Sequence, residues 1–205
     1  MTVNNGNRFE NIAEAELSVQ GCRHCETALG FQPRPVVRLS DRAEILIIGQ
    51  APGTRVHETG IPWNDRSGDR LRSWLNVTRE QFYDRHCFAI MPMGFCFPGR
   101  DAKGGDLPPR SECAPLWHDR LLAIMPRIAL TLLIGAYAQR YYLNMPRGRS
   151  LGETIQATMR ENGRYLALPH PSWRNTGWLK KNRWFEESVL PYLRKRLRIH
   201  GIERI

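Results

Sequence analysis

Four short apolar runs, each stopped by a glycine or a proline, constrain this chain most. Ala43-Glu-Ile-Leu-Ile-Ile48 stops at Gly49, Cys87-Phe-Ala-Ile-Met91 at Pro92, Ile128–Ile134 at Gly135 and Tyr165–Leu168 at Pro169. Runs of this length, rich in β-branched and large aliphatic side chains and ended by turn residues, are buried strands. Helical spacing lies between them, in Ser67–Leu75 with Leu71 and Leu75 on one face, in Leu116–Ile124 and in Ala136–Leu143. Upstream, Ile12–Leu29 reads as a helix interrupted at Cys22–Cys25, and downstream Trp184–Ile199 reads as a basic amphipathic helix. Strands alternating with helices predict an α/β fold around a mostly parallel four-stranded sheet. Ligands in such sheets sit beyond the carboxyl ends of the strands. The loops after Ile48, Met91, Ile134 and Leu168 are therefore the places to look for a site. With 205 residues the chain is expected to form one domain over 1–205, with 1–11 loosely ordered.

The formal net charge is +10. A balance this basic points to a polyanionic partner, most simply nucleic acid, with a merely basic surface as the bland alternative. No apolar run is long enough to span a membrane, so no membrane partner is expected. The N-terminal stretch is polar and has no signal-peptide core, which leads to the expectation of a cytoplasmic protein with reduced thiols. Five cysteines in such a setting favour a metal site over disulfides. Four of them fall in pairs, Cys22-x2-Cys25 and Cys96-x16-Cys113, a pattern that suits zinc or an iron–sulfur cluster equally well. Cys87 is left over and reads as a small buried residue. Nothing signals an oligomer, so a monomer is expected.

Three segments carry chemistry. Gly49-Gln50-Ala51-Pro52-Gly53 follows the first strand directly; its glycines let backbone approach a ligand, and it lacks the ending of a nucleotide-binding P-loop. Thr59–Gly68 leads into a helix and contains Trp63, able to stack a flat base, and Asn64, able to read a polar edge; without context Trp63 is more simply a core aromatic. His170-Pro-Ser-Trp-Arg-Asn175 follows the last strand. A histidine there can donate to a developing oxyanion, although a lone histidine is more often structural.

Taken together, in order, spacing and strand context, these segments resemble the uracil-DNA glycosylase superfamily over most of the chain, from Cys22 to about Asn175. The likeness is closest to its iron–sulfur branch, called family four. The segments that carry it are Cys22 and Cys25, GQAPG, GIPWNDRSG, GFCFPGR, Cys113 and HPS. The resemblance implies a three-layer α/β/α sandwich and a [4Fe-4S] cluster on Cys22, Cys25, Cys96 and Cys113, with zinc as the less expected occupant. It implies a DNA repair enzyme of base excision that flips uracil, or another deaminated base, from DNA and hydrolyses its N-glycosidic bond. Such a protein would be drawn to the nucleoid through its DNA. His170 would donate to a uracil oxygen, Trp63 would stack the base, and Ala51, Pro52, Gly53 and Ser172 would line the pocket. Gln50 would stand beside the attacking water.

Two departures mark a divergent member. Gln50 replaces the family's glutamate and can position water but not take its proton. Asp65 is the favoured carboxylate in its place, ahead of Glu58 and His57. Pro92 stands where the family usually has a base-reading asparagine, a role Asn64 is expected to take over. Arg174, Lys180, Lys181, Arg183 and the basic tail helix are candidate phosphate contacts, against the bland reading of a solvated face; Asn175 is a further candidate DNA contact, and Trp173 or Trp178 could fill the gap left by an extruded base. The losses of Glu and Asn keep a second reading open, a non-catalytic or weakly catalytic binder of damaged or abasic DNA. A zinc-stabilised nucleic-acid module with no pocket is the third.

Overall fold

The computed structural model describes residues 9–143, 146 and 148–203. Among the described residues, one sheet of four parallel strands forms the centre: β1 (Ile45–Ile48), β2 (Phe88–Ile90), β3 (Leu130–Ile134) and β4 (Tyr165–Leu168), in the order β2-β1-β3-β4. The register pairs Ile45 with Phe88 on one side and with Leu130 on the other, and Thr131 with Tyr165. The chain leaves β1 in one direction to reach β2, then returns past it to β3 and β4. The carboxyl ends of β1 and β3 thus flank a topological switch point, where α/β sheets open a crevice.

The strands are unbroken apolar runs because both faces are covered. Ile45 and Ile47 of β1 and Leu130, Leu132 and Ile134 of β3 point to one face. They meet α4 (Arg66–Leu75) through Leu71 and Trp74, α5 (Arg79–Tyr83) through Phe82, and α8 (Leu151–Glu161) through Ile155. The C-terminal segment joins them through Phe185, Val189 and Leu193. Leu46, Ile48 and Leu133 point to the other face. There they meet α1 (Ile12–Gln20) through Ala15 and Val19, α6 (Cys113–Leu122) through Trp117 and Leu121, and α7 (Ala136–Tyr142) through Ala138. This is the expected three-layer α/β/α sandwich. No helix among the described residues is long and apolar enough to cross a membrane.

The predicted break at Cys22–Cys25 separates α1 from the short α2 (Glu26–Leu29), but several elements differ from expectation. Residues 1–8 of the segment expected to be loose lie outside the described residues. Phe9 is buried and stacks at 6.3 Å on Trp117, and the Asn11 side chain caps α1 by accepting the Glu14 amide, so 9–11 are anchored. The basic tail is not one uniform α-helix: a π-helical turn at Phe185–Val189 precedes α10 (Leu190–Ile199). The extra residue of that turn keeps Phe185, Val189, Leu193 and Leu197 on the buried side.

Candidate active site

The segments that follow β1, β2 and β4 supply walls of a cavity of about 490 Å³. After β1 the chain runs through Gly49–Gly53 into α3 (Thr54–Thr59), and Gln50, Ala51, Pro52 and Gly53 all line the cavity. The β1–β2 ladder continues past the strands: the Met93 and Gly94 amides donate to the Gly49 and Gln50 carbonyls at 2.9 and 3.0 Å. That pairing fixes the backbone of the loop and brings Pro92 into the wall.

Trp63 forms one wall, and its geometry is costly. Its φ is +56°, a left-handed conformation that bulky residues rarely adopt and that is worth about 1–3 kcal/mol of strain. Neighbours over-determine it. Arg72, nearly buried, donates to the Trp63 carbonyl at 3.2 Å, and the Tyr83 hydroxyl donates to the adjoining Pro62 carbonyl at 2.8 Å. Two glycines make room. A Cβ on Gly49 would lie 2.7 Å from Cζ2 of the indole, and a Cβ on Gly68 would lie 1.8 Å from the Trp63 carbonyl oxygen. Trp63 thus packs against the core on one side and lays its ring over bare backbone at the cavity.

His170 stands 5.6 Å from Trp63, ring centre to ring centre, with their planes 33° apart. It enters on the turn after β4, which is held from three sides. Asn175 donates its side-chain amide to the His170 carbonyl at 2.7 Å, and Arg70 donates to the Ser172 carbonyl at 3.2 Å. Gln139, buried on α7, donates to the carbonyls of Leu133 and Leu168 and so locks the ends of β3 and β4 together. Burial pushes the His170 pKa below the ordinary histidine value, Asp65 opposes this and Arg174 reinforces it. The imidazole is thus neutral at neutral pH, a donor through one nitrogen without a positive charge.

Asp65, Ser172, Trp173, Arg174 and Asn175 also line the cavity. Asp65 caps α4, its Oδ1 accepting the Gly68 amide at 2.8 Å. Trp173 is 76 % exposed at the rim with the Arg174 guanidinium 5.7 Å from its ring, whereas Trp178 is packed into the core beside Trp184 and Phe185. Six of the expected residues are not brought into the cavity. Asn64 turns outward, accepting from Arg79 at 2.8 Å and lying 3.4 Å from the Thr59 hydroxyl. Lys180 and Arg183 line an adjoining surface groove with Arg70, and Lys181 is exposed on α9 (Thr176–Lys181). His57 is packed between Phe31 and Phe97, and neither it nor Glu58 reaches the cavity.

One wall was not foreseen. Between Cys96 and Cys113 the chain folds into a hairpin with Arg100 bridged to Asp106, and Arg100, Gly104 and Asp106 line the cavity. The only local signal was its glycines and charges.

The four paired cysteines converge on a second, much smaller cavity of about 20 Å³ against Phe95 and Trp117. Cys113 Sγ accepts the Phe95 amide at 3.4 Å. Burial first, and the other cysteines of the group next, push the Cys113 thiol up to about 12; the same causes act on Cys96. Among the described residues no three such side chains stand close enough to hold a metal ion as placed. The donor set nevertheless fits one: four thiols face one apolar space, and a cation there would let them ionise by offsetting both burial and the repulsion between thiolates. Cys87 stands apart, its Sγ 3.9 Å from Asp84.

A crevice at the sheet's switch point thus gathers a histidine, an aromatic plane and the arginines of its rim. Residues 37–194 match the family model described as the Uracil DNA glycosylase superfamily, and the chain belongs to that superfamily.

Proposed function

We propose that this protein is a DNA repair glycosylase that draws a deaminated base, uracil foremost, out of DNA and hydrolyses its N-glycosidic bond, leaving an abasic site. The observation that carries this reading is the pairing of neutral His170 with the Trp63 plane inside one cavity. Extrusion costs a few kcal/mol of stacking and pairing, which phosphate contacts and a wedge must offset. Exposed Trp173 is the wedge, and Arg174, with Lys180, Lys181 and Arg183 alongside, meets the phosphates. The extruded base stacks on Trp63 in the cavity that Pro52 and Ser172 also line. As the C–N bond lengthens, negative charge grows on the base, and the His170 N–H donates to its oxygen. One such donor is worth about 10²–10³ in rate. A neutral imidazole suits this role because it stabilises the anion without first giving up a proton.

Cys22, Cys25, Cys96 and Cys113 would hold a [4Fe-4S] cluster, with zinc as the alternative occupant. Such a group would act as a cross-link, tying the N-terminal helices to both ends of the Cys96–Cys113 segment that walls the cavity.

Two observations favour a second reading, a binder of damaged or abasic DNA with little or no catalysis. Gln50 has no carboxylate, and Pro92 offers the cavity no side-chain hydrogen bond. Release of uracil from labelled oligonucleotides, single-stranded or paired with G or A, separates the two. Base release at matching enzyme and DNA concentrations supports the glycosylase. Tight, salt-dependent binding with no release selects the binder.

A further inference from the structure

We infer that Asp106 supplies the carboxylate of this site, taking the water-activating role that Gln50 cannot fill. The inference rests on the glycosylase reading and adds a residue to it. Two carboxylates line the cavity, and they are not equivalent. Asp65 gives its Oδ1 to the start of α4 through the Gly68 amide. The Asp106 side chain receives no hydrogen bond from any described residue, which leaves both oxygens for a water. It faces the GQAPG turn: a Cβ on Gly53 would lie 3.4 Å from Asp106 Oδ2. It therefore lies across that turn in the same cavity as Gln50.

Its placement is built rather than accidental. Asp101 Oδ1 accepts the amides of Lys103 and Gly105, both at 2.8 Å, the Asp101 amide donates to the Gly105 carbonyl at 2.8 Å, and the Leu107 amide donates to the Gly99 carbonyl at 3.0 Å. These bonds close the hairpin on either side of Asp106. Arg174 braces it from the His170 turn, its guanidinium lying 3.3 Å from where a Gly105 Cβ would sit. Four charges act on the carboxyl. Partial burial raises its pKa above the ordinary aspartate value, Asp65 and Asp101 add to this, and Arg100 and Arg174 oppose it. A raised carboxyl pKa makes a stronger base.

The C1′–N bond breaks and its electron pair leaves on the base, where His170 stabilises the anion. Water's oxygen forms the new C1′–O bond, and one water proton passes to Asp106. The proton later leaves to solvent, and the released base takes one up. Gln50 orients the same water through its side-chain amide.

Single-turnover uracil release by wild type, Asp106→Asn and Asp106→Asn/Gln50→Glu tests this, with binding to the same DNA measured alongside. Asp106→Asn should lower the rate about 10²-fold or more while DNA binding persists, since a general base contributes about 10²–10⁴. The second carboxylate, Gln50→Glu, should restore a large part of the loss. The wild-type rate should fall on the acid side as pH drops through a carboxyl value above the ordinary range, and Asp106→Asn should lack that limb. An Asp106→Asn enzyme with the wild-type rate and pH profile overturns the inference and leaves the glycosylase reading standing. A wild type that binds but releases nothing removes both.

Discussion

One methyl group added at Gly49 tests whether Trp63 is held where the site needs it. The Gly49 φ is not in the left-handed region, so alanine brings no backbone penalty and the perturbation is purely steric. Its Cβ would lie 2.7 Å from indole Cζ2, and ordinary contact begins at 3.4 Å, so the ring must retreat by about 0.7 Å. It cannot do so freely, because Arg72 and Tyr83 hold the backbone on both sides of it. Overpacking of this kind costs about 1–3 kcal/mol of stability, and a misplacement approaching 1 Å at a reacting centre costs about 10²-fold in rate. Gly49→Ala should show both in denaturant unfolding and single-turnover uracil release. Trp63→Phe removes the offending atom along with the benzo ring, so Gly49→Ala/Trp63→Phe should be less damaged than the sum of the two single changes. A coupling of at least about 1 kcal/mol in that cycle is expected, against the ~0.3–0.5 kcal/mol within which independent sites add. Simple additivity, or a Gly49→Ala protein as stable as wild type, would refute the packing argument.

Buried His118 links the cysteine helix to the cavity wall, its Nε2–H donating to the Pro92 carbonyl at 3.0 Å and its Nδ1 accepting from the Tyr142 hydroxyl at 2.6 Å. Burial lowers its pKa to about 4, so between about 6.5 and 4 only the unfolded chain takes the proton; stability should be full above pH 6.5 and drain by up to about 3 kcal/mol as pH falls to 4. His118→Gln should flatten that slope in pH-dependent unfolding, and an unchanged slope would place the titrating group elsewhere. Anaerobically purified protein should show the brown absorbance of an iron–sulfur cluster, lost in Cys96→Ser and Cys113→Ser; a colourless protein carrying zinc would assign the other occupant. Stripping either group should weaken base release by loosening the ends of the Asp106 hairpin, and an undiminished rate in the stripped protein would limit the cysteines to global stability.

The strands were legible because burial on both faces writes itself as unbroken apolar runs: Tyr165–Leu168 matches residue for residue, and the other three match within two residues at each end. Two missed helices carried their own signals. Thr78-x-x-Gln81 and Ser150-x-x-Glu153 each form a full capping box at the start of α5 and α8. The strand-end loops were legible for the same reason as the strands, and most expected pocket residues came together there. Asn64 failed because a left-handed turn at Trp63, which no local pattern announces, is followed by a side chain paired outward with Arg79. Asp106 was invisible because its role depends on a hairpin closing against Gly53, more than fifty residues away in the chain.

The most direct test of the central claim is uracil release by wild type and His170→Ala side by side, under single-turnover conditions with uracil paired to guanine. The wild type should release uracil without added cofactor, and the mutant should be slower by about 10²–10³ while still binding the DNA. A His170→Ala protein as fast as the wild type would contradict the site described here, and release by neither would leave a protein that binds damaged DNA without cutting the base away.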